Sequence, residues 1–511
     1  MASLIIRLHP ADNVVVAGVD LLPGVTLPGT APGTDVSCRT PVPAGHKVAV
    51  QAIAVGEAVR KYNQVIGFAT QPIAAGEHVH VHNLGMGDSF ERDHAFGADA
   101  RPTDLLPEAE RATFQGIVRP DGRVATRNYI GVLTSVNCSA TAARMIADQF
   151  RGDALAAFPN VDGVVALTHG YGCGMGAKGD AIDALRRTIA GYARHPNFAA
   201  VLVLGLGCEV NQVDHLVEAE KLAVGDRLRT LSIQEVGGTP AAVREGVRWI
   251  KELLPAVNDV ARQPVPVSHL TLALQCGGSD GYSGITANPA LGYAVDLLVR
   301  QGGTAVLSET PEVYGAEHLL TRRAVASNVG QKLVDRIVWW EDYTTRTGGE
   351  MNNNPSPGNK KGGLTTILEK SLGAVAKAGT TNLVEVLRYG EPITAKGLVF
   401  MDTPGYDPVS ATGQVAGGAN VLCFTTGRGS VFGCKPTPSL KLATNTPLFR
   451  RMPDDMDIDC GTIATGDETI EEVGRRIFDL IVETASGRKS KSEELGFGSD
   501  EFTPWQMGAV M

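Results

Sequence analysis

Two rhythms of apolar positions divide the chain. Over residues 1–85, short apolar runs (LIIRL, VVVAGVDL, KVAVQAIA, VIGFATQPI) alternate with Pro- and Gly-bearing phrases. Leu22-Pro23-Gly24, Pro43-Ala44-Gly45 and Ala74-Ala75-Gly76 each stand between two such runs. This predicts a small β-rich module with reverse turns. Residues 86–115 lose the rhythm and read as an exposed linker. After Phe114, continuous apolar runs (YIGVLTSV, VDGVVALTH, AVLVLGLG) alternate with amphipathic helical patterns such as ATAARMIADQF and AIDALRRTIAGYA. Buried strands followed by helices predict a parallel α/β sheet. The alternation resumes at Leu270, beyond the Pro-rich stretch Ala261–His269. The expected organisation is an N-terminal module, a second α/β region over 116–262 and a C-terminal α/β region over 265–511. The Gly/Pro/Asn stretch Met351–Gly363 is long for a plain connector and reads as a functional loop.

The length of 511 residues agrees with about three domains at roughly 150 residues each. With 43% apolar and 20% charged residues the chain is globular, with apolar surface for more than one core. The net charge of −9 and the lack of a basic stripe argue against a nucleic-acid partner. No apolar run approaches the ~20 residues of a membrane span, and Met1–Pro10 lacks the pattern of a secretory signal. A cytoplasmic location is expected, where the eight cysteines would be thiols or metal ligands.

Ligands in α/β sheets bind at the carboxyl ends of strands. Four strand-like runs end near a cysteine: Cys138, Cys173, Cys208 (followed by Glu209) and Cys276. These read either as small buried residues or as thiols that ligate iron or line a pocket. No CxxC pair supports a zinc ribbon. In His169-Gly170-Tyr171-Gly172-Cys173-Gly174 an imidazole and a phenol sit among glycines. His169 reads as a general base, or as a strand-end histidine bonded to a carbonyl. Ser308-Glu309 and Glu312 close a later strand, as acids for metal or proton transfer or as a helix cap. Lys360, in a glycine-rich loop, and Arg428, in TTGRG, suit a carboxylate. The trio His78, His80 and His82 falls on one face of a strand, as a metal stripe or a solvated edge. His9 with Asp12, and His46 with Lys47, sit at turns. A strict dinucleotide fingerprint, a Walker A loop and a GxSxG elbow are all missing.

Across nearly its whole length the sequence resembles the altronate/galactarate dehydratase family. The resemblance is carried by HPADNV, AGHKVA, GYGCG, GLGCE, QCGGSDGYSGITANPALG, SPGNKKGG, EKSLG, TTGRG and LKLATN. It implies an N-terminal SAF domain, a sugar-acid hydro-lyase activity and ferrous iron, with manganese as a substitute. VLRYGE and HVHVHN look closer to altronate dehydratase, whereas GNKKGG and CGTIATGDETIEEVG look closer to galactarate dehydratase. A related branch that splits sulfolactate carries its SAF and catalytic parts on separate chains, unlike this fused one.

The implied chemistry removes a proton beside a carboxylate and then a hydroxyl, leaving a 2-keto-3-deoxy acid. Charge builds on the carboxylate, so a divalent metal and cationic side chains are needed. On this expectation His169 is the base or acid with Tyr171 as its partner, and Lys360 and Arg428 hold carboxylate. Ser279, Asp280, Asn359 and Thr426 bind hydroxyls. The metal is held by His9, Asp12 and His46, or alternatively by Cys138, Cys173, Cys208, Glu209 and Cys276. Oxygen and nitrogen ligands suit a labile ferrous ion, and thiolates suit an iron–sulfur cluster, which the resemblance disfavours. A homo-oligomer, as a dimer, is expected. A noncatalytic sugar-acid-binding protein is the alternative of another class.

Overall fold

The computed structural model describes residues 4–27, 35–87 and 94–508. The N-terminal module is built from short antiparallel strands. Ile5–Ile6, Val14–Ala17, Lys47–Ala49 and His78–Val79 make one sheet, and Ala58–Lys61, Gln64–Ala69 and Leu84–Gly85 another. Strand period 2 gives the first sheet two faces. Val15 and Val48 fill the module's own core, while Val14, Ala49 and Val79 join the core of the C-terminal region. The module is therefore docked through buried apolar surface.

The docking carries a buried ion triad. Lys47 Nζ donates to Glu369 Oε2 at 2.8 Å and to the Gly363 carbonyl at 2.7 Å, and Lys61 Nζ donates to Glu369 Oε1 at 3.0 Å. Burial works against the Glu369 charge, but the two lysines outweigh it and hold the carboxyl down at about 2.

Residues 94–111 fall within the stretch read as an exposed linker. This segment is partly exposed but anchored along its length; residues 88–93 lie outside the described chain. Gly97 N–H donates to Thr321 O and Leu106 N–H to Arg300 O. Asp99 pairs with Arg322 at 2.7 Å and Asp104 with Arg300 at 2.8 Å. Its polar groups find helix ends instead of water, which composition alone does not reveal. Thr113–Val118 then pairs antiparallel with Gln263–Pro266, so the entry to and exit from the second region lie side by side.

The second region is a four-stranded parallel sheet in the order Gly163–Leu167, Tyr129–Thr134, Phe198–Gly205, Leu228–Ser232. The C-terminal region is a seven-stranded parallel sheet. Its order is Leu383–Leu387, Gly397–Met401, Thr304–Leu307, Thr271–Cys276, Val421–Thr426, Ser439–Ala443, Ile458–Asp459. The expected architecture, a β-rich N-terminal module followed by two parallel α/β regions, is what the chain folds into. Helices Asp180–Ala193 and Asp407–Ala416 pack together and merge apolar faces of both sheets into one core, where Leu133 and Val203 meet Ala273 and Val399. Among the described residues no helix is long and apolar enough to cross a membrane.

Each sheet has one topological switch point, where successive connections leave in opposite directions. In the large sheet it lies between Thr271–Cys276 and Val421–Thr426; in the small sheet, between Tyr129–Thr134 and Phe198–Gly205. The C-terminal tail joins the two carboxyl edges. The Phe502 ring lies 6.3 Å from that of His169, and Trp505 stacks at 5.3 Å on Trp340. The Trp340 indole donates to Asp402 at the end of a large-sheet strand.

Candidate active site

At the large switch point, loops after the strands are tied around Asp280. Its Oδ1 accepts from Tyr282 N–H, Ser283 Oγ and Thr444 Oγ1, and its Oδ2 from Asn445 Nδ2, all at 2.9–3.1 Å. Burial raises the carboxyl and these donors oppose the shift. Gly427 presses on this carboxylate so closely that a Cβ there would stand 2.1 Å from Asp280 Cγ. Glycine in TTGRG is thus required by the contact. Asn359 is spent in the same way: its Nδ2 donates to Ser279 O at 2.9 Å and its Oδ1 accepts from Ser356 N–H. Thr426 Oγ1 accepts from Gly429 N–H. Asp280 and Asn359 therefore hold loops together, which corrects their assignment as hydroxyl binders, while Thr426 braces its own turn through one accepted bond. Ser279 is buried among them, whereas Lys360 is partly exposed and Arg428 exposed. Arg428 N–H and Gly427 N–H both donate to Gly278 O, which fixes the arginine's turn on the switch crevice.

Beside this crevice lies a charged cluster that sequence reasoning did not assemble. Cys276, Glu309 and Glu312 bring ligand-type atoms within 4.8 Å of one another. Lys377 Nζ lies 2.9 Å from Cys276 Sγ and 3.6 Å from Glu309 Oε2, and Lys370 Nζ lies 2.8 Å from Glu312 Oε1. All five side chains are buried. Asp407, partly exposed at the start of its helix, packs on Gly277: a Cβ there would meet its Oδ2 at 2.2 Å. Three carboxyl groups thus share two ammonium groups. Burial and then Glu312 push Glu309 well above the usual carboxyl range, and the same causes raise Asp407 to about 7. Burial pushes the Cys276 thiol to about 12. Neither Glu309 oxygen has a hydrogen-bond partner among the described residues, and its backbone is left-handed at φ 70°. An unsatisfied buried acid on strained backbone is a feature of functional sites. With lysines already against the sulfur and both glutamates, the cluster fits proton storage better than a cation. Glu309 and Glu312 were legible as a strand-end pair; Lys370, Lys377 and Asp407 were not, since they arrive from separate helices.

A second set forms on the N-terminal module. His46, His78 and His80 bring ring nitrogens within 4.8 Å of one another. His46 Nδ1 stands 3.0 Å from His78 Nε2, and His46 Nε2 stands 3.2 Å from Lys361 O, at the end of the short helix Pro357–Lys361 that carries Lys360 where a loop was expected. His80 Nδ1 is buried without a partner among the described residues. Burial lowers His46, His78 (to about 3) and His80 (to about 4), so the imidazoles are neutral. His82 stays exposed, because the strand ends at Val79 and the chain turns. The expected set His9, Asp12 and His46 is not assembled. Asp12 accepts backbone N–H groups of His9, Tyr62 and Asn63, and caps turns instead.

The small sheet's edge holds the remaining candidates. His169 is buried with both ring nitrogens engaged: Nε2 donates to Thr134 O at 2.9 Å and Nδ1 accepts from Tyr171 N–H at 3.1 Å. Burial lowers it to about 4. It is the carbonyl-bonded strand-end histidine of the two sequence readings, which corrects its assignment as base. Tyr171 and Arg144 border a cleft of about 420 Å³ beside it. Burial and the nearby Tyr343 raise the Tyr171 phenol. Glu209 accepts from Ser135 Oγ at 2.7 Å, Gly207 N–H at 2.6 Å and Leu206 N–H at 3.2 Å, so its oxygens are occupied. Burial opposes its charge, but these donors and its own backbone N–H hold the carboxyl below its usual range. Cys276 belongs to the other sheet, so the proposed quartet is split. Cys138, Cys173 and Cys208 are exposed at this edge.

Comparison with known proteins agrees with this architecture. Three family profiles match in succession: the altronate/galactarate dehydratase SAF domain over 3–87, the D-galactarate dehydratase/altronate hydrolase second domain over 116–258, and the D-galactarate/altronate dehydratase C-terminal domain over 267–510. The galactarate dehydratase (L-threo-forming) of Escherichia coli is 40% identical over 493 residues, covering 95% of this chain and 93% of that protein. The altronate dehydratase of Bacillus subtilis is 37% identical over 497 residues, covering 96% and 97%. The (2R)-sulfolactate sulfo-lyase subunit beta of Chromohalobacter salexigens, at 33% identity, covers 76% of this chain and 96% of its own length. With relatives matched end to end and each domain matched in order, the chain belongs to the D-galactarate/altronate dehydratase family.

Proposed function

We propose that this chain is a carbon–oxygen lyase that removes water from a six-carbon sugar acid, of the altronate or galactarate kind, to give a 2-keto-3-deoxy acid. The observation that carries the reading beyond family membership is the cluster of Glu309, Glu312, Lys370 and Lys377, with Asp407 beside it, at the carboxyl edge of the large sheet. Dehydration needs a group that takes a weakly acidic proton and one that returns a proton to the departing hydroxyl, and a carboxyl poised near neutral pH is suited to both. Asp407 is the cluster's partly exposed member and lies on the switch crevice, so it exchanges the proton with substrate. Glu312, Glu309, Lys370 and Lys377 set its proton affinity from behind. Arg428, on the crevice rim, meets the substrate carboxylate.

His46, His78 and His80 fit a single divalent ion such as Fe²⁺ or Mn²⁺. Their imidazoles are neutral, one nitrogen is unpartnered, and a backbone carbonyl accepts from the far nitrogen of His46, as metal-bound histidines commonly require. Such an ion supplies Lewis acidity toward carboxylate or hydroxyl oxygen. The test is a panel of hexonates and hexarates with added Fe²⁺, read as 2-keto acid formation. Turnover of altronate or galactarate is expected. Tight binding of these acids without product would instead indicate a binding protein.

A further inference from the structure

We propose that Cys138, Cys173 and Cys208 are three thiolate ligands of a [4Fe–4S] cluster at the switch point of the small sheet. Of the eight cysteines, five are buried and these three are exposed. Thiols are among the most buried side chains, so three exposed on one edge need an explanation. Each follows a different strand. Cys138 and Cys208 come from the two strands that flank the switch point, and Cys173 from the strand beside them.

The three loops are locked together around Ser135. Asn137 N–H donates to Tyr171 O at 2.8 Å and Asn137 Nδ2 to His169 O at 3.2 Å. Asn211 N–H donates to Gly172 O, and Asn211 Nδ2 to Ser135 O at 3.0 Å. Ser135 Oγ donates to Glu209, next to Cys208. Gly172, at φ 97°, lies so close that a Cβ would stand 2.2 Å from Ser135 O. Much of the polar machinery of this edge, His169 and Glu209 included, thus fixes the backbone that presents the thiols. A single metal ion draws its ligand atoms close together around one centre. A cluster binds each thiolate through a different iron and takes a wider spacing. The flanking glycines let backbone N–H groups approach the inorganic sulfurs.

With three protein ligands, one iron keeps a free position. A substrate hydroxyl or carboxylate oxygen can bind there as to a Lewis acid, with no change of oxidation state. A cleft of about 420 Å³, lined by Asn137, which precedes Cys138, and by Arg144 and Tyr171, is of ligand size. The use of the cluster rests on the dehydratase reading; its presence does not.

The test is anaerobic reconstitution of the full chain with ferrous iron and sulfide, followed by desalting. About four acid-labile sulfides per chain, a matching number of irons beyond any single ion on the histidine trio, and a broad blue-violet absorption band are expected. Cys138→Ser, Cys173→Ser and Cys208→Ser should each lose the band with unchanged far-ultraviolet circular dichroism. Cys38→Ser, at a thiol that bonds the Thr40 carbonyl within the N-terminal module, should keep it. Iron retained without sulfide, or a band that survives all three substitutions, overturns the proposal. Full turnover by sulfide-free protein with Fe²⁺ overturns the cluster's use as the Lewis acid and leaves the dehydratase reading standing. A bound cluster without turnover of any sugar acid supports the proposal and removes that reading.

Discussion

The carboxyl edges of the two sheets treat the same residue types in opposite ways. At the large edge Cys276 is 2% exposed, faces Lys377 and keeps its proton, while the neighbouring carboxyls are crowded enough to share one. At the small edge three thiols face outward and the acid beside them, Glu209, is satisfied and charged. Burial with unequal numbers of charges makes a proton reservoir. Exposure on hydrogen-bonded loops makes a ligand platform. Strand-end position alone, which is common to both, does not decide chemistry; what packs behind the strand end does.

The largest effect is expected from the ion triad that seats the N-terminal module beside the large edge. Glu369→Ala leaves Lys47 and Lys61 buried without a counter-charge, which costs about 3–5 kcal/mol. Urea unfolding followed by far-ultraviolet circular dichroism measures it. Because the Glu369 carboxyl is held at about 2, below its unfolded value of about 4.3, the triad's stabilisation is complete above about pH 5 and is lost as pH falls toward 2. An undiminished midpoint in Glu369→Ala at pH 7 would show that the module is held by apolar contacts alone.

His169→Asn sharpens the comparison from the other side. If His169 only positions the small edge, the substitution costs about 1–3 kcal/mol through lost buried hydrogen bonds, with kcat within about tenfold of wild type. Its folded pKa of about 4 lies below the unfolded value of about 6.5. The unfolded chain therefore binds the proton first. Wild-type stability should fall as pH drops from about 6.5 to 4, and His169→Asn should flatten part of that slope. A hundredfold loss of kcat with unchanged stability would return proton transfer to the small edge.

Asp407→Asn should stabilise the protein above about pH 7. The native carboxyl is raised to about 7, so the folded state is penalised once the unfolded group ionises above about pH 4 and the penalty is complete above 7. Thermal unfolding at pH 8 checks this, and a lower midpoint would mean that the Asp407 charge is welcome where it lies. The smallest effect is expected at Arg428. Its exposed side chain contributes little to folding, so Arg428→Lys should raise KM about tenfold, roughly 1.4 kcal/mol, at constant Tm. An unchanged KM would leave Arg428 a turn residue.

The architecture was legible because strand and helix periods are local properties. The break at Phe114 and the Pro-rich stretch at Ala261–His269 fall where strands Thr113–Val118 and Gln263–Pro266 pair. The site was legible only where its parts share a segment, as Glu309 and Glu312 do. Lys370, Lys377 and Asp407 join them from 58 residues onward in the chain, through contacts that no spacing encodes. His46 was picked with the wrong partners for the same reason, since His78 and His80 reach it through strand pairing of Val48 with His78. Asp280, Asn359 and His169 show the opposite error. Polar residues in glycine-rich turns look available in sequence, yet each uses its side chain to fasten a neighbouring loop.

The central claim is that Asp407, tuned by the buried acids and lysines behind it, moves the proton in dehydration. The direct test is the pH profile of kcat for 2-keto acid formation by wild type and Asp407→Asn. Wild type should show an ionisation near 7, and Asp407→Asn should lose it together with about 10²- to 10⁴-fold in kcat, while still binding the sugar acid. A profile that keeps its ionisation, with kcat within tenfold of wild type, would contradict the account.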